Sequence, residues 1–396
     1  MKTMLQEKIE TLQRAGLYRR MKYFESPQAA RARLGGREVL MLSSNSYLGL
    51  CSDDRLKQAA HDAITRYGTG AGGSRLISGS FDLHQKLEKE IADFKKTEAA
   101  LIFNTGYMAN VGVLSAIADK GWTLFSDRLN HASLIDGCRL SGAKVVVYNH
   151  CDLVDLERKI HSHRSGPGLI VTDSLFSVDG DLAPLPALVD IARRYRLLLM
   201  VDEAHATGVL GQSGGGAAEY FGIETGIDIS LGTFSKALAS EGGFVAGSLP
   251  LVDYLANAAR SFIFSTALSP ATIAVSRAAL AFVRTEPERR RTLAAHSAWL
   301  RQSLRGAGFA VEDHPTPIIS LVLGEPSLAV DFSEALLTDN IFVSAIRPPT
   351  VPAGTSRLRI NLMATHSRED LEYALERITD VGKVLGVINS TEASDE

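Results

Sequence analysis

The chain has 396 residues, of which 45% are hydrophobic and 22% are charged, and its formal net charge at pH 7 is -3. These values are ordinary for a globular protein with a buried core, and the small acidic excess speaks against a nucleic-acid-binding surface, which needs basic residues. The N-terminal sequence MKTMLQEKIETLQRAGLYRR is charged and helix-like, and no apolar run reaches the roughly 18 residues of a membrane helix. Three cysteines without a CxxC pair (Cys51, Cys138 and Cys151) are typical of a reducing compartment, so we expect a cytoplasmic protein.

Short apolar strands alternate with helical periodicity through the middle of the chain. This alternation predicts an α/β fold with a mostly parallel sheet. A helix is indicated, for example, by the apolar stripe of Leu185–Tyr195. The predicted strands are Ala99–Asn104, Thr123–Ser126, Lys144–Asn149, Leu169–Asp173, Leu197–Asp202, Asp228–Gly232 and Gly243–Ala246.

The pattern changes in the C-terminal part of the chain. One long helix is predicted from about Pro270 to Leu304, followed by a mixture of strands and helices that indicates a smaller α+β domain. The predicted strands there are Ile318–Leu323, Ile341–Ala345 and Arg357–Asn361, and the predicted helices are Ser327–Thr338 and Ser367–Leu385. We therefore expect an N-terminal helical or extended segment at 1–45, a large domain at 46–285 and a small domain at 286–396, with the last residues, STEASDE, disordered.

Polar residues follow five of the predicted strands, at the sheet edge where open α/β folds bind ligands. After the first strand, Gly106 and Tyr107 begin a helix whose unpaired N–H groups could hold a phosphate. The other residues at strand ends are His131, Ser177, Asp202, His205, Thr233, Ser235 and Lys236. We expect these groups to converge on one cleft.

Several of these residues also have an ordinary structural interpretation. His131 could be a surface or helix-capping histidine, Ser177 a turn residue and Lys236 a solvated lysine. Asp202 is different, because a carboxylate that leaves a buried strand is disfavoured unless a cation or a hydrogen-bond donor compensates it.

Two local motifs point toward other classes of protein. Residues 202–205 spell Asp-Glu-Ala-His, a tag of nucleic-acid helicases, but the phosphate-binding sequence G-x-x-x-x-G-K-[ST] that a helicase needs is missing. The pair Gly382-Lys383 lies in the predicted C-terminal helix instead. The run YGTGAGGSR at 67–75 contains G-x-G-x-x-G, yet it follows a helical pattern and not a strand, so dinucleotide binding is disfavoured. Residues 67–75 could form either a loop that closely approaches a ligand or a plain connector.

The polar residues meet the requirements of pyridoxal phosphate (PLP). An amine that can bond the cofactor covalently is supplied by Lys236, and a carboxylate for the pyridine nitrogen by Asp202. His205 could bond the phenolic oxygen, while the helix start at Gly106, together with Thr233, could hold the phosphate.

The whole chain resembles the α-oxoamine synthases, which are fold-type I PLP-dependent transferases. The segments that carry the resemblance are SSNSYLGL, GTGAGGSRLISG, LNHASLIDGCRLS, FSVDGDLAPL, VDEAHATGVLG, GTFSKALASEGGF and AIRPPTVPAGTSRLRI. The resemblance implies a large, mostly parallel seven-stranded sheet domain with a smaller C-terminal α+β domain. It also implies a homodimer with active sites at the subunit interface, and a decarboxylative condensation of an amino acid with an acyl thioester.

The resemblance further implies roles for individual residues. Lys236 would bond the cofactor and act as acid and base at the amino-acid Cα, and His131 would stack on the pyridine ring and contact substrate. The other implied cofactor contacts are Asp202 to the ring nitrogen, His205 and Ser177 to the phenolic oxygen, and Gly106, Tyr107 and Thr233 to the phosphate. The implied substrate contacts are Asn45 and Arg359 to the amino-acid carboxylate, Arg19 to the acyl group, and Thr350.

The substrates cannot all be told apart by the cofactor residues, which most of the family shares. The segment AIRPPTVPAG and the cation of Arg19 favour L-alanine with a pimeloyl thioester, whose far carboxylate a fixed cation would suit. The thioester carrier could be CoA or acyl carrier protein. Glycine with acetyl-CoA, serine with palmitoyl-CoA and glycine with succinyl-CoA remain alternatives. Arg19 could also be a solvated helix charge, and Arg20 beside it leaves the assignment ambiguous by one residue. We expect no metal, nucleic-acid or membrane partner.

Overall fold

The computed structural model describes residues 1–389, and the predicted disordered segment STEASDE lies outside them. The strands are β1 (Arg31–Leu34), β2 (Arg37–Met41), β3 (Ala99–Phe103), β4 (Thr123–Asp127), β5 (Lys144–Tyr148), β6 (Gly168–Asp173), β7 (Leu198–Asp202), β8 (Ile229–Thr233), β9 (Gly243–Gly247), β10 (Ile318–Gly324), β11 (Ile341–Phe342), β12 (Ser344–Ile346) and β13 (Ser356–Asn361). The helices are α1 (Lys2–Arg14), α2 (Asp54–Tyr67), α3 (Asp82–Lys95), α4 (Gly106–Ile117), α5 (Ala132–Ser141), α6 (Leu153–His163), α7 (Leu185–Tyr195), α8 (Ala217–Phe221), α9 (Leu249–Ala258), α10 (Arg260–Ile263), α11 (Pro270–Thr285), α12 (Glu288–Gly306), α13 (Pro326–Thr338) and α14 (Arg368–Val384).

The chain divides into two compact units. The first unit comprises Met1–Gly49, Val178–Gly180 and Arg291–Glu396, and the second comprises Leu50–Ser177 and Asp181–Arg290. The expected domains at 1–45, 46–285 and 286–396 stay a prediction. Among the described residues, no helix combines the length and the apolar character needed to span a membrane.

The second unit contains a sheet of seven strands within residues 99–247, in the order β3-β9-β8-β7-β6-β4-β5. Strand β9 is antiparallel to both of its neighbours, and the other six strands run parallel to one another. The predicted α/β class is thus confirmed, and each of the seven predicted strands is found within one residue of its expected ends.

Burial on both faces characterises the central strands of this sheet. All residues of β4, β6, β8 and β9 are buried, and their sequences combine Leu, Ile, Val, Phe and Ala with small or hydroxyl residues. Leu124, Ile170 and Leu199 are completely shielded from solvent. The carboxylates of β4 and β6, Asp127 and Asp173, lie at the last position of each strand.

The predicted long helix from Pro270 to Leu304 is wrong in one respect. It is two helices, α11 and α12, separated at Glu286 and Pro287. Proline disfavours helical backbone at the residue before it, and Glu286 has φ -121° and ψ 83°, outside the helical region. The apolar pattern also stops here, since residues 284–292 (RTEPERRRT) are charged, hydroxyl or proline residues between Val283 and Leu293.

The first unit contains two three-stranded sheets among its described residues, with orders β1-β2-β11 and β10-β13-β12. The predicted strand Ile341–Ala345 is wrong, because this segment forms two strands that belong to different sheets. Ile341 and Phe342 pair with β2, whereas Ser344–Ile346 pairs with β13. The mixture of helices and antiparallel pairs agrees with the expected α+β character.

Candidate active site

A cavity of about 210 Å³ lies at the carboxyl ends of the parallel strands in the second unit. It is lined by Gly106, Tyr107, His131, Asp202, His205, Thr233 and Lys236, all predicted from the sequence. Asn110, Ser133, Asp173 and Ser235 line it as well. The strand-end residues therefore converge on one cavity, as predicted. Ser177 is the exception, because it lies in the turn after β6 and is not one of the described residues that line the cavity.

Helix α4 presents its N-terminus to the cavity. The Thr105 side chain caps the helix by accepting the Met108 N–H at 3.0 Å, which leaves the N–H groups of Gly106 and Tyr107 without a partner in the helix. The Tyr107 side chain points elsewhere, since its hydroxyl donates to Asp136 at 2.7 Å. The helix can therefore contribute backbone donors and a positive dipole end to an anion.

The packing at this helix start requires glycine in the neighbouring strand. A Cβ atom on Gly243 of β9 would lie 2.7 Å from the Gly106 Cα, too close for any side chain. The first turn of α4 is thus seated directly against the sheet.

The Asp202 carboxylate is compensated by neutral hydrogen-bond donors. Its Oδ2 accepts from Asn110 Nδ2 at 2.7 Å, and its Oδ1 accepts from the Ala204 N–H at 2.8 Å. Only 6% of Asp202 is exposed. The expectation that a donor must accompany this buried carboxylate is correct.

His131 has both of the roles that the sequence left open. Its Nδ1 accepts the Ser133 N–H at 3.3 Å and so caps α5, and its ring also lines the cavity. Burial lowers the pKa of His131, and the nearby charge of Lys236 lowers it further, against the opposing effect of Asp202. We conclude that the imidazole is neutral at pH 7.

Asp173 is a cavity residue that the sequence reasoning missed. It ends β6 directly beside Asp202 in the sheet register, and it accepts the His131 backbone N–H at 2.7 Å. Burial raises the pKa of Asp173 well above its usual range, and the adjacent charge of Asp202 acts in the same direction. The sequence carries a signal for it, because Asp173 occupies the same strand-end position in β6 as Asp202 in β7.

The β8 end supplies hydroxyl groups. Thr233 Oγ1 donates to the Gly242 carbonyl at 2.7 Å and lies 2.7 Å from Ser235 Oγ. Because the Thr233 proton is directed at Gly242, the exposed hydroxyl of Ser235 is the better placed of the two to turn toward a ligand. Lys236 follows on the same loop and is half-buried.

The expected substrate residues Asn45 and Arg359 lie together in the first unit. Asn45 Oδ1 accepts from Arg359 Nη2 at 3.1 Å and from Asn361 Nδ2 at 3.0 Å. The Arg359 Nε is buried without a hydrogen-bond partner among the described residues. A guanidinium N–H without a partner is a donor of the kind that carboxylates accept.

Arg19 and Thr350 also meet in the first unit, where Arg19 Nη2 donates to Thr350 Oγ1 at 3.2 Å. Arg19 and Arg20 line the same cavity of about 570 Å³ together with Lys22 and Arg347. The lining therefore carries four cationic side chains and one acidic one, Glu334, and both adjacent arginines belong to it.

Glu203, to which the sequence analysis gave no function, is completely buried between Asp202 and the turn that carries His205. Its carboxylate pairs with Lys95 of α3 and accepts the Ala218 N–H at 2.8 Å. Lys95 also donates to Thr207 Oγ1 at 2.9 Å and to the Gly215 carbonyl at 2.7 Å, so both charges are fully bonded. This ion pair anchors the turn after β7.

The glycine run at 67–75 follows α2, as the helical pattern predicted. A Cβ on Gly73 would lie 2.3 Å from the Ser78 Oγ, so the loop is folded closely on itself. That packing accounts for one of the glycines without any ligand.

Comparison with known protein families identifies the family to which this chain belongs. Residues 37–378 match the model of the family described as aminotransferase class I and II. The chain belongs to this family.

Two curated relatives are named 8-amino-7-oxononanoate synthase. The one from Lysinibacillus sphaericus is 51% identical over 96% of this chain and 98% of its own length, and the one from Geobacter sulfurreducens is also 51% identical, over 96% and 98%. A serine palmitoyltransferase of S. paucimobilis, solved with PLP and myriocin bound, is 31% identical with a TM-score of 0.92 over 97% of this chain and 98% of that one. The predicted membership in the α-oxoamine synthases is confirmed.

Proposed function

We propose that this chain is a PLP-dependent acyltransferase that condenses L-alanine with a pimeloyl thioester, giving 8-amino-7-oxononanoate, CO2 and the free thiol in biotin biosynthesis. The observation that carries the proposal is the single cavity lined by the amine of Lys236, the carboxylate of Asp202 and the imidazole of His131. The acyl substrate is supported by the relatives at 51% identity, which span almost the whole chain and share one name.

The residues of the cavity fit pyridoxal 5′-phosphate. The lining includes a helix N-terminus, hydroxyl groups and a buried carboxylate, which suit an anionic phosphate and a ring nitrogen that carries a proton. Gly106, Tyr107 and Thr233, with the neighbouring hydroxyl of Ser235, would hold the phosphate, and Asp202 the ring nitrogen. His205 would bond the phenolic oxygen, and the family resemblance assigns Ser177 to the same oxygen.

Bound PLP supplies an electron sink that stabilises a carbanion at the amino-acid Cα. Lys236 would hold the cofactor covalently and would move the proton at Cα. His131 would stack on the ring and, being neutral, could do so without placing a second positive charge beside a protonated ring nitrogen. The task of the protein is to orient the reacting bond and to keep these groups in their protonation states.

The substrate contacts are proposed from the first unit. Arg359 and Asn45 would orient the alanine carboxylate, for which the unpaired Nε of Arg359 is a suitable donor. Arg19, with Thr350, would meet the acyl group, and its cation suits the far carboxylate of a pimeloyl chain.

We further propose a cytoplasmic homodimer with active sites at the subunit interface, and the domain limits 1–45, 46–285 and 286–396. The location is supported by the three cysteines, all unpaired with one another. The dimer and the domain limits are supported by the family resemblance.

The test is a thiol-release assay that combines alanine, glycine and serine in turn with pimeloyl-, acetyl-, succinyl- and palmitoyl-CoA. We expect alanine with pimeloyl-CoA to give the highest kcat/KM. A preference for glycine with acetyl-CoA, or for serine with palmitoyl-CoA, would contradict the pimeloyl assignment while leaving the cofactor chemistry intact. The same assay with pimeloyl-acyl carrier protein decides the carrier.

A further inference from the structure

Asn110 of α4 makes an unusual set of contacts beneath the cavity. Its side chain is 2% exposed, and Nδ2 donates one proton to Asp202 Oδ2 at 2.7 Å and the other to Ser133 Oγ at 2.8 Å. Its Oδ1 is buried without a hydrogen-bond partner among residues 1–389. A buried carbonyl oxygen without a partner is costly, so a group retained in this way needs an explanation.

The orientation of the Asn110 amide is fixed by its neighbours. If the amide were turned over, Oδ1 would face the Asp202 carboxylate and both donated bonds would be lost. The unpaired oxygen is thus the consequence of placing both N–H groups toward Asp202 and Ser133. No partner for Oδ1 is needed to explain the orientation.

Ser133 extends the contact from Asn110 to His131. Its Oγ accepts from Asn110 and lies 2.7 Å from His131 Nδ1, so the hydroxyl proton is directed at the ring nitrogen. The Ser133 backbone N–H also points at Nδ1, at 3.3 Å. Because Nδ1 accepts both bonds, the proton of the neutral imidazole resides on Nε2.

We propose that Asn110 is a positioning residue for both Asp202 and His131. Its direct hydrogen bond fixes the Asp202 carboxylate, and its contact through Ser133 keeps His131 as the neutral Nε2–H tautomer. This proposal rests on the proposed function, in which these two side chains contact the cofactor. The charged groups that act on His131 are Asp202, Lys236 and Asp136, and Asp173 accepts its backbone N–H. The hydrogen bonds to Nδ1 stabilise the neutral ring against protonation, so their loss shifts the titration of His131 to higher pH.

The experiment compares Asn110→Ala, Ser133→Ala and Ser133→Thr in the full-length holoenzyme. Ser133→Ala removes the hydroxyl that bonds both His131 and Asn110 but keeps the Asn110 bond to Asp202, and Ser133→Thr retains the hydroxyl. Ser115→Ala, also in α4, is the control, because its Oγ bonds only the backbone carbonyls of Val111 and Gly112. The readouts are the histidine tautomer by 15N NMR, the visible absorption of the bound cofactor against pH, and kcat and KM against pH.

We expect both alanine variants to move the acid limb of kcat/KM to higher pH and to raise the Nδ1–H population of His131. Asn110→Ala alone should also alter the cofactor absorption and lower kcat by about 10- to 100-fold, the factor expected for a lost hydrogen bond to a charged group. Ser133→Thr should restore the pH profile.

The proposal is wrong if Asn110→Ala and Ser133→Ala melt at lower temperature but keep the wild-type tautomer, absorption and pH profile. The tautomer and absorption readouts do not depend on the acyl substrate. A wild-type protein that binds PLP but does not use pimeloyl-CoA would therefore overturn the proposed function and leave this test standing.

Discussion

At the scale of single residues, burial and neighbouring charges together shift the pKa of groups that line the cavity. Asp202 is buried and accepts hydrogen bonds from two neutral donors. Burial raises the pKa of Asp173 beside it, and the Asp202 charge acts in the same direction, so Asp173 favours its protonated form. A protonated Asp173 adds no second negative charge beside Asp202, the carboxylate proposed to pair with the ring nitrogen.

Lys236 provides the first residue-scale prediction. Lys236→Ala should abolish activity and remove the visible absorption of the covalently bound cofactor, because no amine remains to bond it. The measurement is the absorption spectrum of the purified protein supplied with PLP. Lys120→Ala, in an exposed position after α4, should behave as wild type. An unchanged spectrum in Lys236→Ala would contradict the assignment.

The second prediction at the residue scale concerns Gly243. Gly243→Ala should push the first turn of α4 away from the sheet, because its Cβ would meet the Gly106 backbone at 2.7 Å. We expect a destabilisation of about 1–3 kcal/mol and weaker PLP binding, measured by thermal melting and cofactor titration. Gly70→Ala is the matched control, since its Cβ would meet nothing within 4 Å. Equal effects of the two substitutions would show that helix position is unimportant.

At the scale of elements, one buried and one partly buried ionic cluster hold loops that follow strands of the sheet. Lys95 and Glu203 join α3 to the turn after β7. His150, which follows β5, bonds Asp127 at the end of β4 at 2.9 Å and Asp181 in the segment after β6 at 2.8 Å. Both clusters fix loops that follow strands of the sheet, so they affect the site without lining the cavity.

Adjacent lysines allow a matched test of the first cluster. Lys95→Met should destabilise the protein by about 3–5 kcal/mol, because it leaves the Glu203 charge buried without a counterion. Lys96→Met removes an exposed ion pair with Glu224 and should change the melting temperature little. The measurement is the free energy of unfolding of the two variants and wild type by chemical denaturation. A small effect of Lys95→Met would show that the buried Glu203 carboxyl does not need the Lys95 charge.

The His150 cluster predicts a pH dependence of stability. Burial would lower the pKa of His150, but hydrogen bonds to Asp127 and Asp181 outweigh it and raise the pKa to about 12. A histidine in the unfolded chain titrates near pH 6.5. The contribution of His150 to the free energy of unfolding is therefore complete below that pH. It declines as the pH rises toward 12, by at most about 1.4 kcal/mol per pH unit.

The measurement is the difference in unfolding free energy between wild type and His150→Gln, taken from pH 6 to pH 10 as approximate limits. We expect wild type to be the more stable at pH 6 and the difference to shrink steadily above it. A difference that stays constant would show that His150 is neutral in the folded protein.

At the scale of the whole molecule, the predicted cofactor and substrate residues belong to different compact units. The cavity with Lys236 lies in the second unit, and the Asn45–Arg359 pair lies in the first. The proposed function therefore assigns the cofactor to residues of the second unit and the amino-acid carboxylate to residues of the first.

The dimer can be tested directly. We expect sedimentation equilibrium to give twice the mass of one chain at micromolar concentration, because the family resemblance implies active sites at a subunit interface. Activity per chain should fall when dilution dissociates the dimer. A fully active monomer would contradict this prediction.

The sequence alone predicted the seven strands of the sheet and several of the residues that line the cavity. Short segments with Val, Ile and Leu, flanked by turn residues, delimited β3 to β9 closely, and polar residues such as Asp202 and Lys236 marked the strand ends where the cavity lies. Two element predictions were wrong: Pro287 separates two helices in a stretch predicted as one, and the two halves of Ile341–Ala345 pair with different sheets.

The tertiary structure decided what depends on partners that are distant in the chain. Glu203 looks unremarkable in sequence, and only the approach of Lys95, 108 residues away, makes it a buried anchor. Likewise, Asn110 shows no signal within its helix, and Asp202, 92 residues away, gives its amide a function. Hydrogen bonds of this kind follow from folding and not from local pattern, because a side chain's role depends on what the completed fold brings within about 3 Å of it.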